Sequence, residues 1–161
     1  MVLMNFVERA LQRIARRFSS RTITGVDGSP YLTKHTLVDF GKDRGRLYLH
    51  EFHRGDEDEE HHDHPWNAVS FVLSGGYREE RLGEDGKVVV LVRRPGAFNL
   101  IRTSTRHRVE LIGKKAWTLF ATGPVRRSWG FYDVHTGAYT PWRTFVARRE
   151  AVRRKAEARE S

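Results

Sequence analysis

His61-His62-Asp63-His64-Pro65-Trp66 is the stretch on which the reading of this chain turns. In an extended strand, successive side chains alternate between faces, so His62 and His64 point to one side and Asp63 to the other. Two imidazoles at that spacing can hold one metal ion, at nitrogen–metal distances of about 2.0–2.1 Å. Alone, the pair is weak evidence. The chain has eight histidines; five of them, His50, His53, His61, His62 and His64, cluster around the acidic segment 54–60, where a solvated histidine is unremarkable.

A second stretch strengthens the metal reading. Pro95-Gly96 opens a short strand, the polar turn Arg102-Thr103-Ser104-Thr105 follows, and His107 begins the next strand. Val109 and Leu111 share the parity of His107, which directs its imidazole into a core. Three core-facing imidazoles on separated strands each need a partner for their ring nitrogens. A metal ion satisfies all three together.

Outward from these two stretches the chain is a succession of short strands and turns. Strands are expected at Tyr31 to Val38, Arg46 to His53, Phe71 to Arg81 (interrupted at Gly75-Gly76), Lys87 to Val92, Ala97 to Ile101, His107 to Ile112 and Ala116 to Thr122. Turn chemistry separates them at 26–30, 41–45, 83–86 and 95–96. Many short strands with almost no helix between them predict an all-β sandwich or barrel. Before it, residues 5–18 carry Phe6, Val7, Ala10, Leu11, Ile14, Ala15 and Phe18 at helical spacing, with arginines over most of the remaining face. That stripe predicts a helix packed on the barrel or on a second subunit, with an anionic membrane surface as the alternative. After it, residues 145–161 hold six arginines or lysines and read as a basic helix or tail. The expected organisation is an N-terminal helical arm over 1–21, a barrel over 22–146 and a basic C-terminal helix or tail over 147–161.

Composition narrows the chemistry. The 161 residues include no cysteine, which excludes disulfides, zinc–cysteine sites, iron–sulfur clusters and a cysteine nucleophile. No apolar run is long enough for a transmembrane helix, and the apolar start is too short for a signal peptide, so a cytoplasmic protein without membrane association is expected. The formal charge is +9. It concentrates at the two ends and around 93–108 and accompanies no nucleic-acid motif, so weak nonspecific binding is the most it predicts.

His62-x-His64, Gly75-Gly76, Pro95-Gly96 and His107 together resemble the two characteristic motifs of the cupin superfamily, over roughly residues 46–122. Within it, His-Asp-His-Pro-Trp followed by Ser-Gly-Gly-Tyr is similar to a group of small single-domain bacterial and phage cupins. The resemblance implies a double-stranded β-helix, the jelly-roll barrel, with a divalent metal inside, held here by His62, His64 and His107. One position departs from the pattern. The glutamate of the first motif falls near Ala68 or Val69, neither of which binds metal. Neutral three-histidine sites also occur among cupins, as in thiol dioxygenases, and such a site leaves positions open for substrate and oxygen.

Around that site, His50 shares a face with Tyr48 and is expected to line the pocket as a proton-transfer group, while His53 faces the other way with Glu51. Asp63 is expected to steady an imidazole from outside or to meet solvent. Arg102 could hold an anionic substrate group at the barrel mouth, whereas the parity of Arg106 and Arg108 puts them on the outer face. Tyr77 reads as an edge or mouth aromatic, and Trp117, Trp129, Phe131, Tyr132 and Trp142 as core and edge cover. The function expected is that of a metal-dependent small-molecule enzyme, an Fe(II) dioxygenase with a three-histidine site, acting on a small anionic ligand; Zn, Ni and Mn are the other candidate ions. The alternative is a non-catalytic, metal-stabilised cupin that binds a small ligand. A third reading gives the function to the basic ends, in nucleic-acid binding or phage assembly. A homodimer using the N-terminal helix or an edge strand is also expected.

Overall fold

The computed structural model describes residues 2–25, 27–56 and 60–160. The elements run α1 Val2–Ala15, β1 Ser19–Thr24, β2 Pro30–Asp39, β3 Arg46–Phe52, β4 His61–His62, β5 Ala68–Leu82, β6 Val88–Arg93, β7 Phe98–Ile101, β8 Arg106–Thr122, β9 Gly130–Tyr132, β10 Tyr139–Pro141 and α2 Trp142–Glu160. All strand pairings are antiparallel, in the order β1-β2-β3-β8-β4-β9-β10, with β5 joined to β8 and also to β6 and β7. This curled antiparallel sheet is the expected all-β jelly-roll barrel.

β8 is its spine. The expected strands 107–112 and 116–122 are one continuous strand, since Gly113 takes a φ of 126° and carries the chain through without a turn. One half of β8 lies between β5 and β3, and the other half between β5 and β4. β5 likewise runs unbroken through Gly75-Gly76, where the expected interruption is a pair of register shifts at Val72/Ser74 and Gly75/Tyr77. Gly75 sits at φ 72°, and a side chain there would collide with the Lys115 carbonyl. Gly75→Ala is therefore expected to lower stability by about 2–3 kcal/mol, read as a lower urea midpoint at unchanged slope.

The alternation of each strand sorts its residues between two faces. Val72, Tyr77, Val109 and Ala116 form one inner cluster with Phe52 and Leu111. Ala68, Ile101 and Phe120 form a second with Tyr48 and Trp66. On the outer face, Leu49 and Trp117 are covered by Ala15 and Leu11 of α1. The apolar stripe of α1 thus packs on its own barrel, although Ile14 and Phe18 remain partly exposed. Tyr77 is buried in the inner cluster rather than at an edge or the mouth. α2 begins at Trp142, before the segment expected for it. It docks through Trp142 stacked on Trp129 and Phe145 stacked on Phe131, with ring centroids 5.7 and 3.9 Å apart. None of the described helices is long and apolar enough to cross a membrane.

Candidate metal centre

β4 is only two residues long, yet it places the histidine cluster. His62 pairs in register with His107 of β8 and, on its other side, with Phe131 of β9. His64 follows one turn of the alternation later. The three rings form a nearly equilateral triangle, with centroids 5.0 Å (His62–His64), 4.9 Å (His62–His107) and 5.0 Å (His64–His107) apart. One nitrogen from each lies within 4.8 Å of the others. The Nε2 atoms of His64 and His107 are 2.8 Å apart.

Each imidazole is steadied from behind. Nδ1 of His107 lies 2.7 Å from Glu79 Oε1, in a fully buried pair. With Nδ1–H donating to the Glu79 carboxylate, His107 presents the lone pair of Nε2 to the centre of the triangle. Glu79 is itself gripped by Arg81 and by two nitrogens of Arg93, each at 3.1 Å. Burial opposes the charged form of Glu79, but hydrogen bonding to His107 and the cations around it prevail and hold its carboxyl down to about 2. His64 stacks on Trp66 at 4.4 Å. His62 Nδ1 faces Asp56 Oδ2 at 3.9 Å, and Asp56 accepts hydrogen bonds from Tyr31 Oη at 2.5 Å and the Val109 N–H at 2.6 Å. Asp63 meets neither solvent nor an imidazole. It is wholly buried and accepts from the Gly130 N–H, Tyr132 Oη and Arg127, which fastens the histidine loop to the segment leading into β9.

The donor set fits a divalent ion. Burial pushes His62 down to about 4, and burial reinforced by the nearby histidines and Lys34 pushes His64 well below the ordinary imidazole range. Both are therefore neutral at pH 7, the form that ligates metal. Three imidazoles suit Zn, Fe, Ni or Cu better than Mg or Ca. At the position of the departed glutamate, Ala68 is buried and Val69 exposed. The carboxylate nearest in function is Glu79, which sits behind the His107 ring at Nδ1.

A cavity of about 380 Å³ opens onto His62, walled by Ile23, Tyr31, Trp129, Phe131 and Phe145. Trp129 lies beside both His62 and His64, at 6.3 and 6.4 Å between centroids. The C-terminal aromatics expected as plain cover are thus in part the walls of this cavity. His50 lies inside the barrel, 3% exposed, stacked on Phe120 at 4.5 Å, with neither ring nitrogen hydrogen-bonded. His53 faces outward beside Glu51. Arg102 is exposed on the turn before β8. Arg106 lies over the Tyr132 ring and Arg108 beside Glu80, as their outward parity requires. Glu79, Asp56 and Lys34 are absent from the sequence-based site. The one available signal for Glu79 was its inward parity with Tyr77, and nothing in one strand reveals which histidine lies opposite.

No family model matches the chain, and no curated protein does. Solved structures do. Hydroxypropylphosphonic acid epoxidase from S. wedmorenis superposes with a TM-score of 0.51 at 14% identity, over 65% of this chain and 55% of that one. An Fe(II) form of HppE with an alternative substrate gives 0.52 at 15%, over 65% and 56%. An oxalate decarboxylase gives 0.51 at 12%, over 67% of this chain and 28% of the other. The chain thus spans little more than half the length of the first of these and far less of the last. At such identities the likeness concerns architecture, and the architecture is shared: the chain has the cupin fold, an all-β jelly-roll barrel with a cluster of three histidines inside.

Proposed function

We propose that the chain is a cytoplasmic, metal-dependent small-molecule enzyme of the cupin type, an Fe(II) dioxygenase whose ion is held by His62, His64 and His107. The observation that carries this reading is the convergence of three imidazoles, two of them driven neutral by burial, beside an aromatic-walled cavity. A bound divalent ion would supply Lewis acidity and, as Fe(II), electrons for oxygen chemistry. The protein's own residues supply the rest. Glu79 fixes the tautomer of His107. Trp129, Phe131 and Phe145 give the cavity beside His62 an apolar wall against which a ligand can pack. His50, pushed well below the ordinary imidazole range chiefly by burial, is a neutral proton acceptor inside the barrel. Arg102, in solvent at the turn, meets an acidic group of the ligand that reaches outside.

The replacement of the motif glutamate by Ala68 and Val69 favours a second reading, a metal-stabilised cupin that binds a small ligand without turnover. One experiment separates the two. The protein is loaded anaerobically with Fe(II), and oxygen uptake is followed with a panel of thiols, keto acids and diketones. The enzyme reading expects uptake above the metal-free control with at least one of them, abolished when His62 and His64 are replaced. No uptake with any of them, in protein shown to hold Fe(II), puts the binding reading ahead. A homodimer belongs to the same proposal, and sedimentation at micromolar concentration measures it.

A further inference from the structure

Beside the histidine triangle, a row of polar side chains on four strands leads into the barrel, from the exposed Arg21 at the sheet edge through the half-buried Lys34 to the buried His50 and Thr118. Arg21 of β1 pairs in register with Lys34 of β2, Lys34 with His50 of β3, and His50 with Thr118 of β8. Residues in register across antiparallel strands point to the same face. The neighbouring positions on that face are Tyr48, Phe52 and Phe120, so the row lies between rings. The Lys34 ammonium lies 6.0 Å from the Tyr48 ring centroid. Among the described residues it has no carboxylate partner and no hydrogen bond. Both ring nitrogens of His50 and the Thr118 hydroxyl are buried without a hydrogen-bond partner.

Such a row is unfavourable by itself. A half-buried cation without a counter-ion and buried polar atoms without partners each weaken the fold. Every group in it can donate a hydrogen bond, and among the described residues none of them has a carboxylate partner. Burial, with the charge of Arg21 added, lowers Lys34 to about 8, so its ammonium form persists at pH 7. The row also adjoins the triangle. His50 stacks on Phe120, Phe120 meets Trp66 edge-on at 5.4 Å, and Trp66 stacks on His64. The positive charge of Lys34 acts on both His50 and His64.

We propose that the row Arg21, Lys34, His50 and Thr118 binds the oxyanion of a small acidic ligand whose other end faces the three histidines. The inference deepens the proposed function, and rests on it only for that far end. An oxyanion accepts charge-assisted hydrogen bonds from Lys34 and satisfies the orphaned donors together. It is the inner counterpart of whatever Arg102 meets outside, and a contact inside the barrel is less screened than one in solvent.

The test uses the full chain loaded with Co(II), whose visible spectrum and stoichiometry report the histidines, while calorimetry reports the ligand. Acetate and methylphosphonate are the two oxyanion probes, and acetamide is the neutral control. Wild type is expected to bind at least one oxyanion saturably and acetamide not at all. Lys34→Met and Lys34→Gln are expected to weaken that binding at least about tenfold with Co(II) content unchanged, and Thr118→Val by a smaller factor. The free Lys34→Met protein is expected to melt at a higher temperature than wild type, because a half-buried unpaired charge is gone, and the oxyanion should raise only the wild-type midpoint. A purely structural lysine would give the opposite order of melting temperatures. Equal affinity in wild type and Lys34→Gln, equal binding of acetate and acetamide, or no oxyanion binding at about 50 mM overturns the proposal. Failure of wild type to take up Co(II) ends the metal reading separately, since calorimetry on metal-free protein still reads the row.

Discussion

Replacing His62 and His64 together by alanine lowers tightly bound divalent metal from about one ion per chain to below about a tenth of one, measured by elemental analysis of protein purified without a tag. The size of the effect follows from chelation. Among the described residues no other group brings three such donors within 4.8 Å of one another, and His107 alone offers a single ring nitrogen to the centre. The fold should survive the change. Among the described residues, His64 makes its side-chain hydrogen bond only to His107, and the His62 ring lies 3.9 Å from the Asp56 carboxylate. Far-UV circular dichroism of the metal-free variant should therefore overlay that of metal-free wild type. His135→Ala, on the exposed hairpin before β10, is the control and should leave the metal content unchanged. Unchanged metal in a folded double variant would remove the assignment.

The histidine triangle was legible because two signals were local. Alternation in extended chain sets His62 and His64, two positions apart, on one side, and the apolar parity of Val109 and Leu111 turns His107 inward. Neither signal depends on what lies across the sheet. The barrel was legible for a similar reason, since turn residues mark the ends of most strands. Failures cluster where pairing decides. Gly113 and Gly75 both read as breaks, because glycine at a turn and glycine at a bulge or a left-handed position within a strand look alike until the neighbouring strand is known. Tyr77 reads as an edge aromatic until β6 and β8 pair on either side of it. Lys34 is an ordinary lysine in an ordinary strand until Arg21, His50 and Thr118 fall in line with it. Asp63 follows the alternation as expected, but its partners come from residues 127–132, beyond the reach of any local pattern. Glu79 is the clearest instance. In Tyr77-Arg78-Glu79-Glu80-Arg81 two glutamates stand side by side, and only the register of β5 against β8 sends one to His107 and the other to Arg108.

That register makes Glu79 the side chain whose loss should matter most to the fold. Glu79→Ala is expected to destabilise the protein by about 3–5 kcal/mol, because removing one partner of a buried ionic cluster leaves the others uncompensated. Arg81, Arg93 and Asn99 converge on this carboxylate, and Asn99 is itself 2% exposed. Water cannot easily replace it there. The metal should suffer as well, since His107 would lose the acceptor that fixes its tautomer; a drop of about 10–100-fold in affinity is the usual consequence of removing such a partner. Glu79→Gln separates the two roles. Its amide oxygen can still accept from His107 Nδ1, so metal affinity should fall less than in the alanine variant, while the lost charge still leaves Arg81 and Arg93 unpaired. The pH dependence carries the same sign. A carboxyl held down to about 2 in the fold, against an ordinary value of 4.5, contributes stability that is complete above the ordinary value and disappears as pH falls toward about 2. Wild type should therefore lose stability over that window, and Glu79→Gln should lose less over the same interval, having started lower. Urea midpoints measured at pH 7, 5, 4 and 3 on metal-free protein test this directly. A Glu79→Gln curve parallel to that of wild type across the window would show that the carboxylate is not the anchor its contacts make it.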